Sequence, residues 1–234
     1  MSASDPKDYE ILCQIDSESI HFFNDSKSPV CLRNSNAQFV YCNHPFLISF
    51  INKRRKISVP FLMDEITSFS NDVKMLLSKF ELECAFLSSS TAQSRNILIE
   101  KNVWQVRIET IIQNGNVFFL WQFNKFSNVG ALIKDSRGSV FKNRYVDMSY
   151  LFERLSDKEF IIFPFYLLGF GYAELATKFD LDEDVVRKRV FSAMKKMEIL
   201  CDVKDWKCSI LSGKNLFYIC SVVKCIIDDD VMFL

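Results

Sequence analysis

Histidine is scarce: His21 and His44 are the only two in a chain of 234 residues. Imidazole-based acid–base or metal chemistry therefore has little to draw on. The eight cysteines (Cys13, Cys31, Cys42, Cys84, Cys201, Cys208, Cys220 and Cys225) lie singly among apolar residues, with no C-x-x-C pair. They spell out no closed zinc set and read as buried free thiols in a reducing compartment. No glycine-rich phosphate loop or nucleophile motif occurs. An enzyme is not expected, and no cofactor or metal is assigned.

An excess of either charge is also missing, because 29 basic residues meet 29 acidic ones and the balance holds in both halves. Neutrality excludes an indiscriminate polybasic binder of nucleic acid or membrane, but not a local basic site. Long apolar runs are lacking too. The most apolar stretch, Phe160–Phe170, contains Pro164 and Gly169 and is too short to span a bilayer. The N-terminal run Met1-Ser-Ala-Ser-Asp-Pro-Lys-Asp is polar, without a basic then apolar leader pattern. The expectation is a cytoplasmic chain with no membrane partner.

What the chain does have is phenylalanine, 23 copies, within a composition that is 49% hydrophobic and 25% charged. That is globular, and the length accommodates one or two domains. Residues 9–24 carry Ile11, Leu12, Ile15, Ser19, Phe22 and Phe23 near helical spacing. Pro29–Arg33 and Gln38–Cys42 read as strands, joined by the turn chemistry of Asn34-Ser-Asn-Ala. Asn43 is placed to cap a helix starting at His44-Pro45, carrying Phe46, Leu47 and Phe50 inward and ending near Lys53-Arg-Arg-Lys. A further helix is expected around Asn71–Phe80. Three strands follow, over Ile97–Glu100, Val103–Ile112 and Asn116–Phe123, linked by Lys101-Asn102 and the hairpin signal Asn114-Gly115. Trp104, Val106 and Ile108 alternate with Gln105, Arg107 and Glu109, so one face is buried and the other wet.

This order resembles a PAS domain over residues 20–126. The run from Val30 to Phe46, a strand hairpin leading into an asparagine that opens a helix, carries the resemblance. It implies a sensory and dimerising module. The asparagine-cysteine helix motif of flavin photosensors is not found, and His44 at a helix start is poorly placed as a haem ligand. Any small-molecule ligand stays unknown.

From Leu155 the texture becomes helical. Ser156-Asp-Lys-Glu159 fits a capping box that opens a helix running through Leu168 and stopping at Gly169. A second helix covers Tyr172–Phe179, and a third runs from Asp182 to about Ile199. The third carries an apolar stripe of Val186, Val190, Ala193 and Met197. Opposite lie Asp184, Arg187, Lys188, Phe191 and Lys195. Between Val185 and Met197 there are five cations (Arg187, Lys188, Arg189, Lys195, Lys196) and no anion, while Asp182, Glu183 and Asp184 sit at the start. Such a face suits phosphates, and Arg187 suits a guanine edge; a solvated basic face is the equal alternative on charge alone.

The spacing favours nucleic acid. From Leu155 through Glu159, Gly169, Glu174, Ala176, Phe179, Asp182, Val186, Arg189 and Ala193 to Met197 the register resembles a LuxR-type helix-turn-helix without a gap. The resemblance implies DNA contacts from Arg187, Lys188, Arg189, Phe191, Ser192 and Lys195. Three positions depart from the pattern: Gly171 stands at a usual serine cap, Val185 at a threonine and Arg189 at a histidine. Val203–Leu211 fits a fourth helix, and Asn215–Ile227 is an additional apolar helix for packing or dimerisation.

With both halves in view, the chain resembles the TraJ-type regulators of plasmid conjugal transfer, on Arg33–Asn43 and Val117-Phe-Phe-Leu-Trp-Gln-Phe. The fold class expected is α+β: an N-terminal PAS-like antiparallel sheet with helices, then an all-α helix-turn-helix domain. The expected divisions are an N-terminal segment 1–19, the PAS-like domain 20–126, a linker 127–150 and the helix-turn-helix domain 151–234. The resemblance implies a homodimer joined through the PAS domain, bound to double-stranded promoter DNA of the transfer operon, activating by relief of H-NS silencing. The competing reading is a protein-interaction or small-ligand sensor whose helix-turn-helix has lost DNA binding.

Overall fold

The computed structural model describes residues 23–51, 58–86, 92–126, 148–201, 206, 210–211 and 213–228. The chain divides into two compact units, Met1–Ile99 with Trp104–Lys125, and Glu100–Val103 with Phe126–Leu234.

The first unit is a five-stranded antiparallel sheet with helices over one face. Its elements are β1 (Val30–Asn34), β2 (Phe39–Cys42), α1 (His44–Phe50), α2 (Asn71–Phe86), β3 (Gln93–Ile99), β4 (Asn102–Gln113) and β5 (Asn116–Lys125). The spatial order β2-β1-β5-β4-β3 seats the first hairpin beside the last strand, with Cys31 opposite Trp121 and Arg33 opposite Phe119. This is the PAS-like arrangement expected from the sequence.

Local chemistry explains the turns. Asn34 Oδ1 accepts from the N–H groups of Asn36 and Gln38, and Ala37 takes a positive φ of 59°. Asn114 and Gly115, both at positive φ, close the β4–β5 hairpin that their identity signalled. Asn43 caps α1 through the Phe46 N–H and does more: Oδ1 also accepts from Val30 N–H, and the amide donates to the carbonyls of Phe23 and Ser28. A buried asparagine is thereby fully satisfied and holds three segments together.

Strand alternation places Phe39, Trp121 and Phe123 on the helix-covered face, where they meet Phe46, Phe50, Phe69, Leu77 and Phe80. Val30, Leu32, Tyr41, Phe118 and Leu120 form a second cluster on the opposite face. Eight of the 23 phenylalanines lie in the helix-covered cluster. Arg33 is buried as well, its guanidinium over the rings of Phe39 and Trp121 and 2.9 Å from Glu81 of α2. Burial raises the Glu81 carboxyl above its ordinary value, against the opposing pull of Arg33. That pair explains why α2 continues to Phe86 rather than ending at Phe80: Glu81 and Cys84 extend the buried stripe of Leu77 and Phe80.

Apart from Glu100–Val103, the second unit contributes helices among the described residues: α3 (Met148–Glu153), α4 (Asp157–Phe160), α5 (Phe163–Leu167), α6 (Tyr172–Lys178), α7 (Glu183–Cys201) and α8 (Gly213–Asp228). The single helix expected from Ser156 to Leu168 is two. Pro164 has no N–H for the Phe160 carbonyl, so the chain breaks at Ile161–Ile162 and restarts with proline in the first turn of α5. Gly169, at φ +98°, ends α5. α3 begins at Met148, inside the stretch assigned to the linker; residues 127–147 lie outside the described residues. So do most of the helix expected over 9–24, the Lys53-Arg-Arg-Lys run, and all of Val203–Leu211 except Trp206 and Ile210–Leu211. α8 is the expected apolar helix, burying Tyr218, Ile219, Val222 and Ile226. Cys220 is the exception among the described cysteines, an exposed thiol on the outer side of α8 rather than a buried one.

Candidate nucleic-acid interface

α6 and α7 are joined by a turn in which Asp180 takes a positive φ of 49° and the Leu181 N–H reaches the Ala176 carbonyl at 2.9 Å. The Asp182 carbonyl then accepts from Val185 and Val186, starting α7. At the start of α6, Gly171 supplies half a capping box: its N–H donates to Glu174 Oε2 at 2.7 Å, with no side chain to return the bond. The helix-turn-helix is held from below by Leu175, Val186, Val190, Ala193 and Met197, each at most 1% exposed.

The outer face of α7 is cationic beyond its first turn, where Asp184 is exposed. Arg187, Lys188, Phe191 and Lys195 are exposed along it, and Arg189 is half-buried at its side. Lys188 and Arg189 make no ion pair among the described residues. Arg187 is oriented from two sides. Its Nε and Nη2 donate to Glu183 Oε1 at 3.1 and 2.6 Å, and its guanidinium lies 5.3 Å from the Tyr172 ring centre. Lys195 Nζ sits 4.8 Å from the centre of the Phe191 ring.

Two further polar side chains of α7 turn toward the bundle. Ser192 Oγ donates to Glu159 Oε1, and Lys196 Nζ to Glu159 Oε2, both at 2.6 Å. The Ser156 N–H and hydroxyl donate to the same Oε2 at 2.7 and 2.8 Å. Burial on its own would raise the Glu159 carboxyl; bonds from Lys196, Ser192 and Ser156 outweigh it and hold the group at about 2. The cation run is therefore not wholly uncompensated. Lys196 is neutralised by Glu159 and Arg187 by Glu183, which leaves Lys188, Arg189 and Lys195 without an ion pair among the described residues. The Ser156–Glu159 box is visible in the sequence, whereas its second task and Tyr172 beneath Arg187 are not. The signal for the first was a box glutamate with a spare oxygen.

Among the described residues no helix is long and apolar enough to cross a membrane, and no cluster of His, Cys, Asp and Glu could hold a metal ion.

The class is thus defined by its two parts, a PAS-like antiparallel sheet domain with an all-α helix-turn-helix domain after it. By sequence the chain is TraJ-like. It is 26% identical over 179 residues to protein TraJ of Escherichia coli, covering 76% of this chain and 85% of that one. To protein TraJ of Escherichia coli strain K12 it is 20% identical over 218 residues, covering 87% and 88%. No family model matches. Among solved structures, the phage VqmA–DPO complex aligns over 90% of this chain and 87% of its own, at 12% identity and a TM-score of 0.45.

Proposed function

We propose that this chain is a homodimeric DNA-binding transcriptional regulator that activates plasmid conjugal-transfer genes at the transfer-operon promoter by relieving H-NS silencing. In this reading it works in the cytoplasm and binds rather than catalyses. Residues 20–126 join the dimer and sense, residues 127–150 link, and residues 151–234 contact DNA. The observation that carries the reading is α7: a helix anchored by its apolar stripe and Glu159, presenting Arg187, Lys188 and Lys195 outward at helical spacing. Lys188, Arg189 and Lys195 suit phosphates, Arg187 suits a guanine edge and Phe191 completes the surface, whereas Ser192, expected among the DNA contacts, is held on Glu159. The Arg187–Glu183 pair is exposed and salt-screened, so it orients the guanidinium without withholding it.

Gel-shift titration of the full chain on transfer-promoter and unrelated duplexes tests this. Wild type should prefer the promoter, and the Arg187→Ala/Lys188→Ala variant should lose it while remaining dimeric by size-exclusion chromatography. Reporter activation should fall away in a host lacking H-NS. The neutralisation of Lys196 and Arg187 by acids favours a second reading, a PAS-based protein-interaction or ligand sensor without DNA binding. Wild type that retains neither duplex would decide for it.

A further inference from the structure

We infer that Phe191 reads thymine, its ring packing against C5-methyl groups in the major groove one helical turn beyond Arg187; this rests on α7 being the DNA-reading helix. The ring is 60% exposed, whereas the apolar stripe of the same helix is at most 1% exposed, so it is no part of the packed core. It shares its face with Arg187, Lys188 and Lys195, and its one close ring contact among the described residues is the Lys195 ammonium at 4.8 Å. A phenyl ring has no donor or acceptor. Of the groups that base pairs present in the major groove, only the thymine methyl matches it, while amino, N7 and carbonyl edges would be desolvated without a bond. The same ring thus attracts thymine and penalises the other bases, and discrimination needs both.

Position adds a spacing. Four residues along a helix advance about 6 Å, and bases follow one another at about 3.4 Å, so thymine should lie roughly two steps from the guanine met by Arg187. Lys195, seated on the ring, is carried toward the adjoining phosphate and holds the ring to one side.

The test uses duplexes selected by the full wild-type chain from a random-sequence library, then resynthesised with deoxyuridine for thymidine. Deoxyuridine lacks only the methyl. Wild type should lose about fourfold in affinity per contacted methyl, and Phe191→Ala should bind both duplexes alike, with unchanged circular dichroism. Equal wild-type affinity for the two duplexes overturns the inference but leaves DNA binding standing. So does a Phe191→Ala variant that loses as much as wild type on the swap, because another residue would then read the methyl. Failure of the wild-type chain to enrich any duplex removes the DNA reading and this inference together.

Discussion

The Lys196 ammonium of α7 lies 2.6 Å from Oε2 of Glu159, the same oxygen that completes the capping box at the start of α4. One carboxylate thereby does two tasks. It satisfies an otherwise orphaned N–H at a helix start, and it fixes the rotation of the helix whose outer face carries Arg187, Lys188 and Lys195. With Ser192 on its other oxygen, Glu159 grips α7 one turn apart.

Glu159→Gln should lower the stability of the helical unit by about 2 kcal/mol at pH 7, the scale of a charged hydrogen bond lost in a buried setting. The pH dependence gives the sign. Because the folded value is depressed from 4.5 to about 2, the stabilisation is complete above pH 4.5 and is lost as pH falls toward 2. Urea titrations followed by far-UV circular dichroism should show the wild-type advantage shrinking across that window. A constant difference from pH 7 to pH 2 would mean that the charge of Glu159 does not hold α7.

In the sheet unit, Arg33 and Glu81 form the corresponding buried pair, 2.9 Å apart with Arg33 3% exposed. Removing one partner strands a charge among aromatic rings, so Arg33→Met alone should cost about 3–5 kcal/mol. Arg33→Met with Glu81→Leu should recover most of that loss, since a buried ion pair gains little over well-packed apolar groups. A double-mutant cycle from chemical denaturation measures the difference. Additive losses would show that the two side chains act independently.

How much of this was legible depended on whether the cause was local. Asn34, Asn43 and Asn114-Gly115 act on backbone within a few residues, so their turns and cap could be read directly from the chain. The same holds for the α7 stripe, where helical spacing alone separates Val186, Val190, Ala193 and Met197 from the cations. The Glu159–Lys196 and Arg33–Glu81 contacts join residues 37 and 48 positions apart, and no spacing rule encodes such a pairing. Charge counting consequently overestimated the free cations of α7, and the helix expected around Asn71–Phe80 stopped one residue short of Glu81, which extends it. Pro164 is a different case: its missing N–H was visible, but a continuous apolar run hid the break.

Asn43 offers a test within the sheet unit. Asn43→Ala removes the α1 cap and leaves the Val30 N–H and the Ser28 carbonyl without their partner. The loss should exceed a simple cap deletion of about 1 kcal/mol, reaching about 2–3 kcal/mol. Asn43→Asp separates the roles, because a carboxylate keeps both accepting bonds but cannot donate to Phe23 and Ser28. It should fall between wild type and alanine in thermal melts. Equal stability of the aspartate and alanine variants would assign the whole effect to the donated bonds.

Lys195 supplies the last prediction, one that separates phosphate contact from base contact. If its ammonium, seated on the Phe191 ring, meets a DNA phosphate, the binding releases a counterion at that phosphate. Lys195→Ala should then weaken binding to promoter and unrelated duplexes by similar factors and reduce the slope of log affinity against log salt by about one unit. Arg187→Ala should behave differently, reducing the preference for the promoter by about tenfold or more because a guanine contact is lost. Fluorescence anisotropy at several salt concentrations measures slope and preference in one experiment. A Lys195→Ala slope equal to that of wild type would place its ammonium away from the phosphates, and its role would then be confined to supporting the Phe191 ring.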